Sequence, residues 1–215
     1  DNTYYYLKSN GSMATGWYKV DNTWYYFNPT GEMLRGWIDV DGSRYYLNNN
    51  GAMAQNWLQI DNIWYYFGSD GAMRTGWQYL DGAWYYLNSN GQMLTGWQLI
   101  DKKYYYLHEG KMLTGWLNDS NGQTYFMDKE SGDMSISWKQ IDGNWYYFDQ
   151  YGHMQKGWLN LSGKYYYLDP ETGKMTANVS RIINNVNYTF DKNGVCQNET
   201  SGMSGITDSY FDPET

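Results

Sequence analysis

Eight tryptophans set the frame of this 215-residue chain. They stand at 17, 37, 57, 77, 97, 116, 138 and 158, with spacings of 20, 20, 20, 20, 19, 22 and 20. A fixed period in this range marks a solenoid or array and decides the architecture before any local reading. The stretch from Gly16 to Met33 shows the pattern. Trp17–Val20 and Thr23–Phe27 are short runs suited to strands, joined by Asp21-Asn22. Asp-Asn or Asp-Gly between two such runs tolerates positive φ and predicts a tight hairpin. The turn recurs at Asp41-Gly42, Asp61-Asn62, Asp81-Gly82 and Asp142-Gly143, with Asp101-Lys102 as a weaker version. A second turn closes each copy, as at Asn28–Gly31, Asn48–Gly51 and Asn88–Gly91. A lone hairpin is barely stable in water, so neighbouring copies must supply its core. The expected fold is all-β, a β-solenoid of stacked hairpins of about 20 residues each.

The repeat spans residues 1–195 as a half copy, eight Trp-opened copies and a degenerate last one. Tyr4-Tyr5-Tyr6-Leu7 sits where Trp24-Tyr25-Tyr26-Phe27 sits in the next copy, so the natural chain is expected to continue N-terminally. The copy at Trp97 is shortened in its Leu107–Gly110 turn. The copy at Trp116 is longer in its hairpin, Asn118–Thr124, and in the turn Asp128–Gly132. After Met175 the pattern fades: Asn178-Val179 replaces Gly-Trp, and Asn187-Tyr188-Thr189-Phe190 replaces Trp-Tyr-Tyr-Phe. Residues 196–215 are polar and aperiodic and read as a tail or linker.

Composition excludes several functions. The net charge of −8 argues against a nucleic-acid partner and against a grip on polyphosphate. No apolar run is long enough to insert in a membrane. The single cysteine, Cys196, rules out an internal disulfide and reads as a small, half-buried apolar side chain. His108 and His153 both fall in turns, and no nucleophile–base set has a motif around it, so no catalytic residue is assigned. The turns at Asp128 and at Asp191-Lys192-Asn193-Gly194 lack the ligand spacing of a calcium loop, so no metal is assigned.

The aromatic residues remain. Along Trp24-Tyr25-Tyr26-Phe27 the side chains alternate faces, so Trp24 and Tyr26 share one face while Tyr25 and Phe27 share the other. The second face is read as core. The Met of each copy, such as Met33 or Met53, is core or pocket floor. Two Trp per copy at fixed phase exceed what a core needs. The pattern Gly-Trp-x6-Trp-Tyr-Tyr-x4-Gly-x-Met resembles the choline-binding repeat of streptococcal surface proteins, wall hydrolases and phage lysins. The resemblance covers residues 1 to about 195. It implies stacked hairpins that bind phosphocholine on teichoic and lipoteichoic acids. It also implies a site between successive copies, made by the Trp after Gly, the Trp seven residues on, and a Tyr of the next copy. A trimethylammonium ion has an apolar skin and no donor, so ring faces suit it.

Carried over copy by copy, with the second Tyr of the next copy chosen because it lies on the Trp face, the resemblance implies four complete cages. They are Trp17, Trp24 and Tyr46; Trp57, Trp64 and Tyr86; Trp77, Trp84 and Tyr106; and Trp138, Trp145 and Tyr167. Asn56 stands in place of Gly in the second. Trp97, Tyr104 and Phe126 keep three rings but depart from the pattern. Three cages are expected to be broken: Arg44 faces Trp37, Thr124 faces Trp116, and Thr189 stands where Trp158 needs its third ring. The expected role is a non-catalytic, secreted, wall-associated module with choline as ligand and no cofactor. The alternative is a carbohydrate-binding array of the glucan-binding or clostridial-toxin type. Those repeats usually carry other residues where this chain has Trp24, Trp64, Trp84 and Trp145.

Overall fold

The computed structural model describes residues 3–198 and Ile206. Among them every regular element is a β-strand. Hairpins follow one another along the chain: β1 (Gly16–Val20) and β2 (Thr23–Phe27), β3 (Gly36–Val40) and β4 (Ser43–Leu47), β5 (Asn56–Ile60) and β6 (Ile63–Phe67), and β7 (Gly76–Leu80) and β8 (Ala83–Leu87). Then come β9 (Gly96–Ile100), β10 (Lys103–His108) and the short β11 (Lys111–Met112). The later hairpins are β12 (Gly115–Asn118) and β13 (Thr124–Met127), β14 (Ser137–Ile141) and β15 (Asn144–Phe148), β16 (Gly157–Leu161) and β17 (Lys164–Leu168), and β18 (Val179–Ile183) and β19 (Val186–Phe190). The described residues fall into two compact units. One holds the chain through Gly96 with Leu107–Met112. The other holds Trp97–Tyr106 and the chain from Leu113 on.

The hairpin turns are as the Asp-Asn and Asp-Gly dipeptides require. Asp21 and Asn22 have φ of 45° and 66°, the left-handed pair of a type I′ turn. Lys102 adopts the same conformation at φ 64°, with no local hydrogen-bonding side chain to favour it. Lys102→Gly is therefore expected to raise stability by about 0.5–1 kcal/mol, since it relieves left-handed strain of ~1–2 kcal/mol at some cost in unfolded-chain entropy. A thermal midpoint that stays put or falls would contradict this. The degenerate copy also makes a full hairpin. Val179 pairs with Phe190 and Ile183 with Val186, around Asn184 and Asn185 at φ 50° and 65°.

Each hairpin ends in a residue that is sealed off: Phe27, Leu47, Phe67 and Leu87 in the first unit, Met127, Phe148, Leu168 and Phe190 in the second. That residue bridges to the Met of its own copy, as in Phe27↔Met33 and Leu47↔Met53, except that Phe190 bridges to Cys196. The turn between them is pinned by an Asn or Asp. In the first regular copy Asn28 Oδ1 accepts from the backbone N–H groups of Thr30 and Glu32 at 3.0 and 2.9 Å. The Met then reaches the preceding copy. The Met53 N–H donates to the Trp24 carbonyl at 2.8 Å, and the Met175 N–H donates to the Trp145 carbonyl at 2.8 Å. Successive copies are thereby joined by backbone hydrogen bonds as well as by their side chains.

Register fixes the faces. Trp17 lies opposite Tyr26 and Lys19 opposite Trp24, so these four side chains share one face of the β1–β2 hairpin. Tyr18, Val20, Thr23, Tyr25 and Phe27 share the other. The copies stack head to tail within each unit, the Trp face of one on the opposite face of the next. Trp17 thus meets Tyr45 at 4.8 Å between ring centroids, Trp37 meets Tyr65 at 5.0 Å, and Trp57 meets Tyr85 at 4.9 Å. In the second unit Trp97 meets Tyr125 at 5.0 Å, Trp116 meets Tyr146 at 5.0 Å and Trp138 meets Tyr166 at 4.9 Å.

Candidate functional site

Head-to-tail stacking leaves an open cleft between the Trp face of one hairpin and the next. The first has a volume of about 320 Å³ and is lined by Trp17, Trp24, Tyr45, Met53 and Asp70. Its counterpart in the second unit, about 290 Å³, is lined by Trp138, Trp145, Tyr166, Met175, Lys192 and Asn193. Two indoles of one copy form two walls, a Tyr of the next copy the third, and the Met of that next copy the floor. The Met–Trp backbone bonds hold the floor beneath the second indole. The rim comes from the closing turn of the copy after that, at Asp70 or Asn193. Gly71 and Gly194, one residue further on, lie over the Met side chains. A Cβ built on either would fall 2.3 or 2.5 Å from the Met53 or Met175 Sδ.

The second indoles are the unusual feature. Trp24, Trp64, Trp84 and Trp145 are 39%, 41%, 41% and 41% exposed, so these four copies repeat the same cost of a wet indole face. Trp57 and Trp64 stand edge to face at 6.4 Å and 88°, and Trp77 and Trp84 at 6.4 Å and 90°. Walls at right angles present two π faces to one point, which is the arrangement a compact cation needs. In the second-unit cleft, burial, then the nearby Asp191, push the Tyr166 hydroxyl above the ordinary tyrosine range. At the rim of the first cleft, burial works to raise Asp70. Hydrogen bonds from Arg74 and the Ala72 N–H outweigh it and hold the carboxyl below its usual range. Arg74 Nη2 lies 2.9 Å from Asp70, so this carboxylate is partly neutralised.

The third wall corrects the expectation from strand alternation. Tyr46, Tyr86, Phe126 and Tyr167 do not face the preceding Trp, and Tyr106 lies on the Trp of its own hairpin. Each packs on the Trp of its own hairpin, at 5.1 Å for Trp37–Tyr46, 5.0 Å for Trp77–Tyr86, 5.2 Å for Trp97–Tyr106, 4.9 Å for Trp116–Phe126 and 5.1 Å for Trp158–Tyr167. The residues that do face it are Tyr45, Tyr85, Tyr125, Tyr146, Tyr166 and Tyr188. Alternation identifies which side chains share a face within one copy. In a head-to-tail stack the partner surface is the opposite face, so the ring that closes the cleft has the other parity. The clefts thus bring together Trp17, Trp24 and Tyr45; Trp57, Trp64 and Tyr85; and Trp138, Trp145 and Tyr166. The Met floor and the rim residues from two copies along complete them.

The irregular copies resolve differently. Asn56 takes φ 62° where its neighbours have Gly, a conformation Asn tolerates, and Trp57 keeps its place. Arg44 lies over Trp37 with Cζ 4.8 Å from the ring centroid, a cation already on the indole. The Asp39 carboxylate, 3.8 Å from the Arg44 Nε, is exposed. At Trp116 the second indole is replaced by Thr124, whose hydroxyl donates to Asn118 at 2.8 Å. Trp158 does not lack its third ring: Tyr188 lies 4.8 Å from it, and Thr189 is turned to Ser180. There Cys196 takes the place of Met and is buried rather than half-buried. Ile206 packs against the same cluster as Trp158, Tyr165 and Tyr188, and its carbonyl accepts from Asn160 at 3.3 Å. Of the expected tail, residues 199–205 and 207–215 lie outside the described residues. Among those described, no three His, Cys, Asp or Glu side chains come together as a metal site.

Comparison with known proteins places this geometry. The model of the choline-binding repeat matches at 1–35, 14–58, 34–74, 56–95, 74–110, 94–137 and 135–179. No curated protein is similar enough in sequence to match. Among solved structures, choline binding protein F from Streptococcus pneumoniae is 28% identical at a TM-score of 0.67, over 90% of this chain and 89% of that one. The choline-binding domain of CbpL from Streptococcus pneumoniae is 32% identical at a TM-score of 0.60, over 86% and 98%. The modular autolysin LytC from the same species is 29% identical at a TM-score of 0.63, and the match spans 92% of this chain but 47% of LytC. By the matched repeats, which cover most of its length, this chain belongs to the choline-binding repeat family.

Proposed function

We propose that the chain is a non-catalytic wall-binding module that holds a secreted protein to choline-decorated teichoic and lipoteichoic acids. The observation that carries this reading is the recurring open cleft of two indoles, a tyrosine and a methionine, with the paired indoles at right angles where Trp57 meets Trp64 and Trp77 meets Trp84. The ligand is a cation without hydrogen-bond donors, and the cleft offers ring faces and a thioether rather than paired polar groups. The net charge of −8 favours the cation and opposes a bare phosphate. The ligand's phosphate then points to solvent.

Each ring–cation contact contributes roughly 0.5–2 kcal/mol, so three give about 2–5 kcal/mol and a dissociation constant near millimolar at best. A wall that presents many cholines converts several weak clefts into tight attachment. The chain is therefore expected to stay on a tertiary-amine or choline resin in salt, to pass through dextran, and to elute with free choline at about millimolar levels or above. Retention on dextran with no retention on the amine resin would favour the carbohydrate reading and reject this one.

A further inference from the structure

One cleft differs in kind from the others. In the second unit Trp97, Tyr104, Tyr125, Met134, Gln150 and Tyr151 enclose about 400 Å³. The two regular clefts hold about 320 and 290 Å³. Two substitutions make the difference. Tyr104 replaces the second indole and draws that wall back. Tyr151 occupies the rim position held by Asp70 and Asn193 elsewhere and adds a fourth ring at the mouth. Tyr151 is 65% exposed, so its ring is available. It is also held in place. Its backbone N–H donates to Asp149 Oδ1 at 2.9 Å, and its ring lies 6.0 Å from that of His153. His153 in turn packs on Tyr125 at 5.3 Å and lies 3.3 Å from Asp149 Oδ2 through Nδ1. One imidazole thus supports two walls of the same cleft.

A trimethylammonium group spans three rings of a narrow cage and leaves a fourth ring across a wider one unused. A ligand that carries a flat apolar substituent beside its quaternary nitrogen can fill both. We propose, resting on the choline reading above, that this cleft is a separate specificity site. It selects quaternary ammonium ions bearing an aryl-sized apolar group over choline itself, and Tyr151 is the residue that decides the selection. The headgroup sits among Trp97, Tyr104 and Tyr125 over Met134, and the apolar substituent lies on Tyr151.

The test is calorimetric titration of the full chain with choline and with benzyltrimethylammonium, for the native protein and for Tyr151→Ser and Tyr151→Phe. The native protein is expected to show one site that binds benzyltrimethylammonium about tenfold or more tighter than choline, from the added aromatic contact. Tyr151→Ser should remove that tighter site and leave the choline isotherm at the regular clefts unchanged, while Tyr151→Phe should retain it. Because Tyr151 is largely exposed in a turn, an unaltered thermal midpoint should accompany both changes. Choline binding with no preference for the benzyl ion, or a preference that survives Tyr151→Ser, overturns this proposal and leaves the choline reading standing. Binding of neither ion overturns both.

Discussion

Arg44→Trp is expected to add one choline site to the chain. In the native protein the cleft that opens at Trp37 has its Tyr wall, Tyr65, at 5.0 Å, and Met73 is tied to the Arg44 carbonyl at 2.8 Å. What it lacks is the second indole. Arg44 stands there instead, with its guanidinium 4.8 Å from the Trp37 centroid. That contact already uses the ring face the ligand would need, and it places a permanent positive charge where a second would have to enter. Losing a ring forfeits about 1 kcal/mol of cation–π attraction. A like charge at close range in a partly dry cleft opposes binding by more, because little solvent screens it. The charge therefore decides, and the native cleft should hold no choline. Arg44→Ala removes the charge without supplying the ring and should yield a site weaker than its neighbours. Arg44→Trp supplies both, and the stoichiometry of choline binding should rise by one. Choline bound between Trp37 and Tyr65 in the native protein would show that the guanidinium moves aside.

Tyr45→Ala and Tyr46→Ala should part company, although the residues are adjacent. Tyr45 closes the cleft on Trp17 and Trp24. Its loss removes a ring worth roughly 0.5–2 kcal/mol, so that one site should weaken by about tenfold and drop out of a millimolar titration. Tyr46 packs across its own hairpin on Trp37 at 5.1 Å. Its loss should cost about 0.5–1.5 kcal/mol of aromatic pairing, read as a lower thermal midpoint, and leave the choline count unchanged. The opposite pattern, with the site lost in Tyr46→Ala and kept in Tyr45→Ala, would return the cage to the parity expected from strand alternation.

The contrast between these two tyrosines marks how far the sequence can be read. The hairpins were legible because their causes are local: Asp21-Asn22 and its copies demand left-handed turns, and the 20-residue Trp spacing repeats them. The first two walls were legible for the same reason, since Trp17 and Trp24 lie on one hairpin. The third wall depends on how copies stack, which no single copy encodes. The repetition itself carries the missing signal, because identical units joined in one direction must present unlike faces to each other. Asp70 and Tyr151 were harder still, since each comes from the second copy along. Trp158 shows the consequence of the wrong parity. Thr189 made its cage look broken, whereas Tyr188 supplies the ring and the closing contact comes from Ile206.

The claim that clefts between stacked copies hold trimethylammonium groups is tested most directly by a crystal structure of the chain grown with choline. Choline is expected between Trp17, Trp24 and Tyr45 over Met53, between Trp57, Trp64 and Tyr85, and between Trp138, Trp145 and Tyr166 over Met175, with the Trp37 cleft empty. Choline absent from all three of these clefts at saturating concentration, or bound instead beside Tyr46 and Tyr167 on the faces of their own hairpins, would contradict it.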